Sequence, residues 1–281
     1  MRSNLRRITS TVLIHLLAWA IGLIWIIPFF GLLMTSIRPF SEVIHGWWNF
    51  SSFTPMIANF VRAWSHSSFP ISQGIRNSLI VALPSTILPI LIASIGAYGF
   101  ARFSFPIKNY IFIIVVILMA LPPQMIAIPV FSMMKQAGLL DKFLGVIIVH
   151  SAWGTPWILF FMRNFFTTLP IELEEAARVD GASDLTIFIR IILPICIPAL
   201  VSVAVLQFMW VWSDFFFPLI LLHSADKLVA VQRLPLMRGV YFVDWGLISA
   251  ATVIVMMVPV MIFAFLQRYY VRGMVGWAVS K

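Results

Sequence analysis

The chain has 281 residues, 61% hydrophobic and 10% charged, with a formal charge of +9 and a mean hydropathy of +1.00. Soluble domains are about half apolar and about a quarter charged, so this composition excludes an ordinary soluble enzyme and points to a bilayer. A single cysteine, Cys196, excludes a disulfide framework within the chain, and the scattered basic residues form no patch for nucleic acid.

Six apolar stretches approach or exceed the roughly 20 residues that span a hydrocarbon core. They fall at roughly 11–35, 78–100, 109–132, 143–162, 191–220 and 246–268. The first follows MRSNLRR; its apolar run is too long for a signal peptide and has no small-x-small cleavage site, so it reads as an uncleaved anchor. Residues 36–75 then form the longest outer segment, rich in rings at Trp47, Trp48, Phe50, Phe53 and Trp64. Such rings suit the headgroup layer or the face of an external partner. In the second span, the stripe Ala93, Ala97, Ala101 predicts close helix packing. The third span carries LPPQ with Gln124, and the fourth carries HSAWGTPW, where His150 and Gly154 share a helical face. The fifth run, 191–222, would make about 48 Å of helix at ~1.5 Å per residue. That is too long, so a break is expected at Trp212–Pro218, where WSDFFFP places a polar pair and a proline.

Six spans put both ends on one side. With the termini inside, eleven basic residues lie inside and eight outside, so the positive-inside rule places both termini in the cytoplasm.

Between spans four and five the character changes. Five of the ten acids, Glu172, Glu174, Glu175, Asp180 and Asp184, fall within thirteen residues. Pro170 suits a first helical turn, and the three glutamates favour the positive end of the helix dipole. Gly181 can take the left-handed conformation that ends a helix, and Ser183 can cap the next. Two short helices with a hard corner are expected there, on the cytoplasmic face. Physics alone leaves two readings open: an ordinary amphipathic loop helix, or a docking element.

Polar groups at membrane depth tend to face a bundle interior. Gln124, His150, Gly154, Trp210, Ser213 and Asp214 are therefore candidates for a substrate path, since amide, acid and aromatic faces suit a hydroxyl-rich solute. Plainer readings stand beside two of them, His150 as a hydrogen-bonded packing residue and Asp214 as the group that fixes the break. The chain lacks the G-x-x-x-x-G-K-[ST], H-E-x-x-H and G-x-S-x-G motifs. No catalytic residue, metal site or cofactor of its own is expected, and the chain does not read as an enzyme.

The stretch EAARVDGASDLTIFIRIILP resembles the EAA loop of binding-protein-dependent ABC importer permeases. Glu175, Ala176, Ala177, Gly181, Ile191, Leu193 and Pro194 meet that motif at its spacing. WSDFFFPLI at 212–220 and QRYYVRGMVGWAVSK at 267–281 resemble the sugar-importer branch, and RNSL at 76–79 and GLLDKFLGVII at 138–148 fit it too. The likeness covers about residues 70–281 and is nearest to the smaller permease of the maltose-type pair. The tail departs from the usual ending at Trp277 and Ser280–Lys281.

The resemblance implies an all-α membrane protein with six transmembrane helices and a cytoplasmic coupling helix between spans four and five. It implies an N-terminal addition, 1–70, on a permease core, 71–281. Glu174, Glu175, Ala176, Ala177, Asp180, Gly181 and Ala182 would couple to ATPases. The implied partners are a homologous second permease, two ABC ATPase subunits carrying ATP and magnesium, an extracytoplasmic solute-binding protein and membrane lipid. The implied location is a bacterial or archaeal plasma membrane, and the implied cargo a sugar or related polyol. A permease for a non-sugar solute and an ion-coupled secondary transporter are the alternatives. The latter calls for intramembrane acids and internal repeats, of which the sequence offers only Asp214 and a few histidines.

Overall fold

The computed structural model describes residues 2–239 and 242–278, with side chains for 11–239 and 242–268. The basic side chains of Arg2, Arg6, Arg7, Arg272 and Lys281, which carry much of the orientation argument, lie outside the described side chains, as does that of Trp277, and Ser280–Lys281 lie outside the described residues altogether. Every regular element among the described residues is helical. The chain opens with α1 (Arg2–Ser36), followed by the short α2 (Phe40–Val43) and α3 (Ala58–Trp64), then the long α4 (Ile71–Arg102). Next come α5 (Lys108–Ala120), α6 (Ala127–Gln136) and α7 (Phe143–Phe166). The acidic stretch forms α8 (Glu172–Val179) and α9 (Asp184–Ile187). Then follow α10 (Leu193–Ile195), α11 (Ile197–Ser213), α12 (Phe216–Leu221), α13 (Ala230–Leu236) and α14 (Trp245–Ala278).

Four of these are long and apolar enough to cross a membrane, and there are up to six spans if each of two bent pairs counts as one. The bent pairs correct two expectations. The third stretch, read as unbroken over 109–132, turns by 99° between α5 and the 3₁₀ turn Pro123–Ile126. The cause is the pair Pro122–Pro123: Leu121 is forced extended (ψ 124°), as a residue before proline is, and Pro122 follows at ψ 133°. The fifth stretch breaks at Asp214, inside the expected window, where the backbone is extended (ψ 125°). It also bends by 74° at Cys196, a site not foreseen. Pro194 and Pro198 flank that residue, and each removes a helical N–H and crowds the carbonyl four residues back. A π-helical turn, Phe188–Ile192, leads into this bend.

The packing divides the chain into two compact units, Met1–Ile71 with Leu234–Val255, and Ser72–Arg233 with Met256–Lys281. In the first, the outer segment folds around Arg38, which is fully buried. Its Nη1 donates to the Asn49 carbonyl at 2.7 Å and its guanidinium lies over the rings of Phe50 and Phe53. The Asn59 amide donates to the carbonyls of Ser36 and Arg38. Asp244 caps the start of α14 through the Leu247 N–H and pairs with Arg62 at 2.7 Å. Trp47 lies so close to Gly31 that a Cβ there would meet its ring at 2.9 Å.

In the second unit, the small side chains Ala93 and Ala97 of α4 let α7 and α11 approach. The buried core joins them to Ile158, Met162, Phe166, Ile187, Ile192 and Val203. This bears out the packing reading of the alanine stripe. Between α6 and α7, Asp141 adopts a positive φ of 55°, which Asp tolerates better than most residues. Partial burial pushes its carboxyl pKa up. Hydrogen bonds from the Ser224 hydroxyl, the Ser224 and His223 N–H groups and the Lys227 ammonium outweigh that and hold it well below the usual carboxylate range. The turn is thereby latched to residues 223–227.

Candidate functional site

The acidic stretch has the drawn shape with a shifted start. Pro170 stands just before the N-cap, Ile171, rather than in the first turn, and Glu172, Glu174 and Glu175 fill that turn. The helix closes in a Schellman motif: Gly181 N–H donates to the Arg178 carbonyl and Ala182 N–H to the Ala177 carbonyl, each at 3.0 Å. Gly181 takes φ +83° with open space around its Cα, so the demand for glycine there is conformational rather than steric. Ser183 accepts from the Thr186 N–H and caps α9. Arg178 spans the corner to Asp184 at 3.0 Å, and that bond raises its guanidinium pKa further.

The two faces of α8 differ. Glu172, Glu175, Ala176 and Val179 follow the i, i+3, i+4, i+7 spacing and are all exposed, Val179 at 87%. Asp180 and Gly181 continue this open face. Ala177 and Ala182 are half-buried against the core. Glu174 faces inward and is fully buried. It accepts from Arg102 Nε at 2.6 Å and from the Tyr98 hydroxyl at 2.9 Å, both on α4. Glu174 was grouped from sequence with the outward coupling residues; the structure turns it toward the chain's own α4.

The polar candidates within the apolar helices are only partly assembled. His150 is buried, with Nε2 3.4 Å from Asp214 Oδ2 but outside hydrogen-bonding geometry, and its ring meets Phe217 edge-on at 5.3 Å. The Asp214 carboxylate accepts from the N–H groups of Phe216 and Phe217, so it starts α12 and fixes the break as well as facing His150. Gly154 gives room to a side chain that sequence reading missed: a Cβ there would come within 2.8 Å of Gln207 Cδ. Gln207, buried on α11, donates to the Ser85 carbonyl at 3.1 Å and accepts from Trp157 Nε1 at 2.9 Å. It thus joins α4, α7 and α11. An amide in an apolar helix was the available signal. Gln124 is exposed just past the 99° bend, and Trp210 and Ser213 are exposed near the end of α11. The Ser213 hydroxyl bonds back to Met209 O. No hydrogen bond or ion pair among the described residues joins Gln124, Trp210 or Ser213 to the His150–Asp214 pair.

Residues 88–276 match the family described as binding-protein-dependent transport system inner membrane component. A probable ABC transporter permease protein of Pyrococcus horikoshii is 55% identical over 267 residues, covering 95% of this chain and 97% of that protein. An osmoprotective compounds uptake permease protein of Synechocystis is 40% identical over 95% of this chain and 92% of its own length. An alpha-glucoside transport system permease protein of Rhizobium meliloti is 39% identical over 76% of this chain and 58% of its own length. A chain from the crystal structure of a bacterial ABC transporter involved in import of the acidic polysaccharide alginate shares the fold. Its TM-score is 0.79 at 22% identity, over 94% of this chain and 97% of that chain.

Proposed function

Because the chain belongs to the family of binding-protein-dependent transport system inner membrane components, we propose that it is the membrane-spanning half of an ATP-driven importer for a sugar or related polyol. As a member of that family it is a transport component, not an enzyme. In this reading each bent pair counts as one span, giving six, with both termini and the α8–α9 corner in the cytoplasm. Residues 1–70 add a first span and a folded outer segment to the permease core, 71–281. A homologous second permease completes the pathway, an external binding protein delivers the solute, and two ATPase subunits carry the ATP and magnesium.

The observation that carries the proposal is the open face of α8. Exposed carboxylates at Glu172, Glu175 and Asp180, small Ala176 and apolar Val179 stand on a helix whose other face is locked to the core. Such a rigid, unpartnered face suits a groove on an ATPase. Ala177, Gly181 and Ala182 set its angle, and Glu174 sets its base. The His150–Asp214 pair and the Gly154–Gln207 contact are the best-built parts of the proposed path, with Gln124, Trp210 and Ser213 as outlying contributors. The sugar assignment rests on the WSDF stretch and on the alpha-glucoside relative. A second solute class is favoured by the relative named for osmoprotective compounds.

The test is extraction of the tagged chain from its native membrane in mild detergent. ATP hydrolysis is then assayed with and without external binding protein loaded with maltose, trehalose or glycerol. A co-purifying ATPase stimulated by one loaded form supports the proposal and names the solute class. A chain that purifies alone and mediates ion-coupled uptake in liposomes contradicts it.

A further inference from the structure

Resting on the proposed ATPase-docking role of α8, we infer that Glu174 is a positioning residue that makes α8 and α4 move as one piece. Three observations carry this. Glu174 is the one acid in the cluster that is fully buried, so it cannot meet a partner, yet its carboxylate receives two side-chain donors from a single helix, Tyr98 and Arg102. Arg102 also reaches the link between α7 and α8, with Nη2 donating to the Leu169 carbonyl at 3.1 Å. One guanidinium thus grips both the first turn of α8 and the chain leading into it. Finally, Arg102 lies in the last turn of α4, where the helix dipole favours a cation.

The physical consequence is stiffness at one joint. Charge-assisted hydrogen bonds at these distances are about twice as strong as neutral ones. Breaking a buried pair leaves a bare charge, so the joint resists shear between the two helices. Arg178, 3.8 Å from Glu174 on the exposed side, adds a second cation to the cluster. A displacement applied to the open face of α8 therefore reaches the end of α4, a helix of 32 residues and about 48 Å at ~1.5 Å per residue. The covalent route through α9 and its π turn is longer and bends at Cys196. The ion pair is the direct link from the docking face to α4.

The experiment uses the whole complex in nanodiscs, on a Cys196→Ala background with Arg76→Cys as a reporter. Arg76 is exposed near the other end of α4. The labelling rate by fluorescein maleimide is measured with and without MgATP and vanadate. The background should show a nucleotide-dependent change in rate. Glu174→Gln and Arg102→Gln should each shrink that change about fivefold or more, the low end of usual coupling free energies, while the ATPase still co-purifies. The charge-swapped double variant Glu174→Arg with Arg102→Glu should recover part of it, and Tyr98→Phe should fall between, which separates positioning from general loss of structure. Retention of the full change in both Gln variants overturns the inference. So does loss of the ATPase from those variants alone, which would make Glu174 an assembly residue. If the background itself carries no ATPase, the docking reading fails instead.

Discussion

The corner at 167–184 and the outer segment at 37–65 each bury one charge completely, and they treat it in opposite ways. Glu174 is matched by a guanidinium at 2.6 Å and a hydroxyl at 2.9 Å, and the helix that carries it shows a polar, open face to the outside. Arg38 has its nearest carboxylate, Glu42, at 3.8 Å; its Nη1 donates to backbone carbonyls and its plane lies over two phenylalanine rings, while Nε and Nη2 are buried without a hydrogen-bond partner among the described residues. One region is held from within so that its outer surface is free to be used. The other is wound around its own charge. Buried charge alone therefore does not mark a docking site; in the proposed reading the unpartnered face beside Glu174 does.

The largest expected effect tests the corner itself. Gly181→Val should leave membrane insertion intact but abolish transport, because a β-branched side chain resists φ +83° and the Schellman closure would not form. Uptake by reconstituted complexes checks this. Next come the two buried charges. Glu174→Leu strands Arg102 and should lower stability by about 3–5 kcal/mol. Arg38→Met unpairs backbone carbonyls and takes the cation from Glu42, which keeps the Thr54 N–H, and should lower it by about 1–3 kcal/mol. Thermal unfolding in detergent should rank them in that order, and the reverse order would break the comparison.

Smaller effects sharpen it. Gly154→Ala forces a Cβ against Gln207 and should destabilise by about 1–3 kcal/mol, with part of the loss restored by adding Gln207→Ala. Asp141→Asn keeps the turn-forming shape but loses the charged acceptor, at about 1.5–3 kcal/mol near neutral pH. Because the folded carboxyl pKa is depressed, this stability is fully present above the ordinary aspartate value of about 4 and is lost as pH falls through the lower folded value. The gap between wild type and Asp141→Asn should therefore hold from pH 7 down to about 5 and close only at strongly acid pH. Arg62→Ala should change stability least, by under about 1 kcal/mol, since Arg62 is half exposed and its pair with Asp244 is a surface one.

The helical, membrane-type fold was legible because hydropathy over 20 residues is a one-dimensional signal. The Gly181 turn and the Ser183 cap were legible because each depends on a residue's own backbone preference. The break at Asp214 was legible because a polar pair and a proline interrupt an apolar run. The bend at Cys196 was not, since Pro194 and Pro198 each fit a helix start and only together turn the chain by 74°. The fate of Glu174 was hidden for another reason. Which of three neighbouring glutamates faces inward depends on where Arg102, 72 residues earlier, ends its helix. Gln207 was within reach of the same argument that singled out His150 and Asp214.

The most direct measurement of the central claim places a photo-crosslinking amino acid at Val179, the most exposed apolar position on α8, in the complex purified from its own membrane. The expected result is an adduct with an ATP-hydrolysing subunit, its yield altered by MgATP. A complex that retains its ATPase but yields adducts from Val179 only with lipid or with this chain would contradict the claim that the open face of α8 is where ATP-driven motion enters.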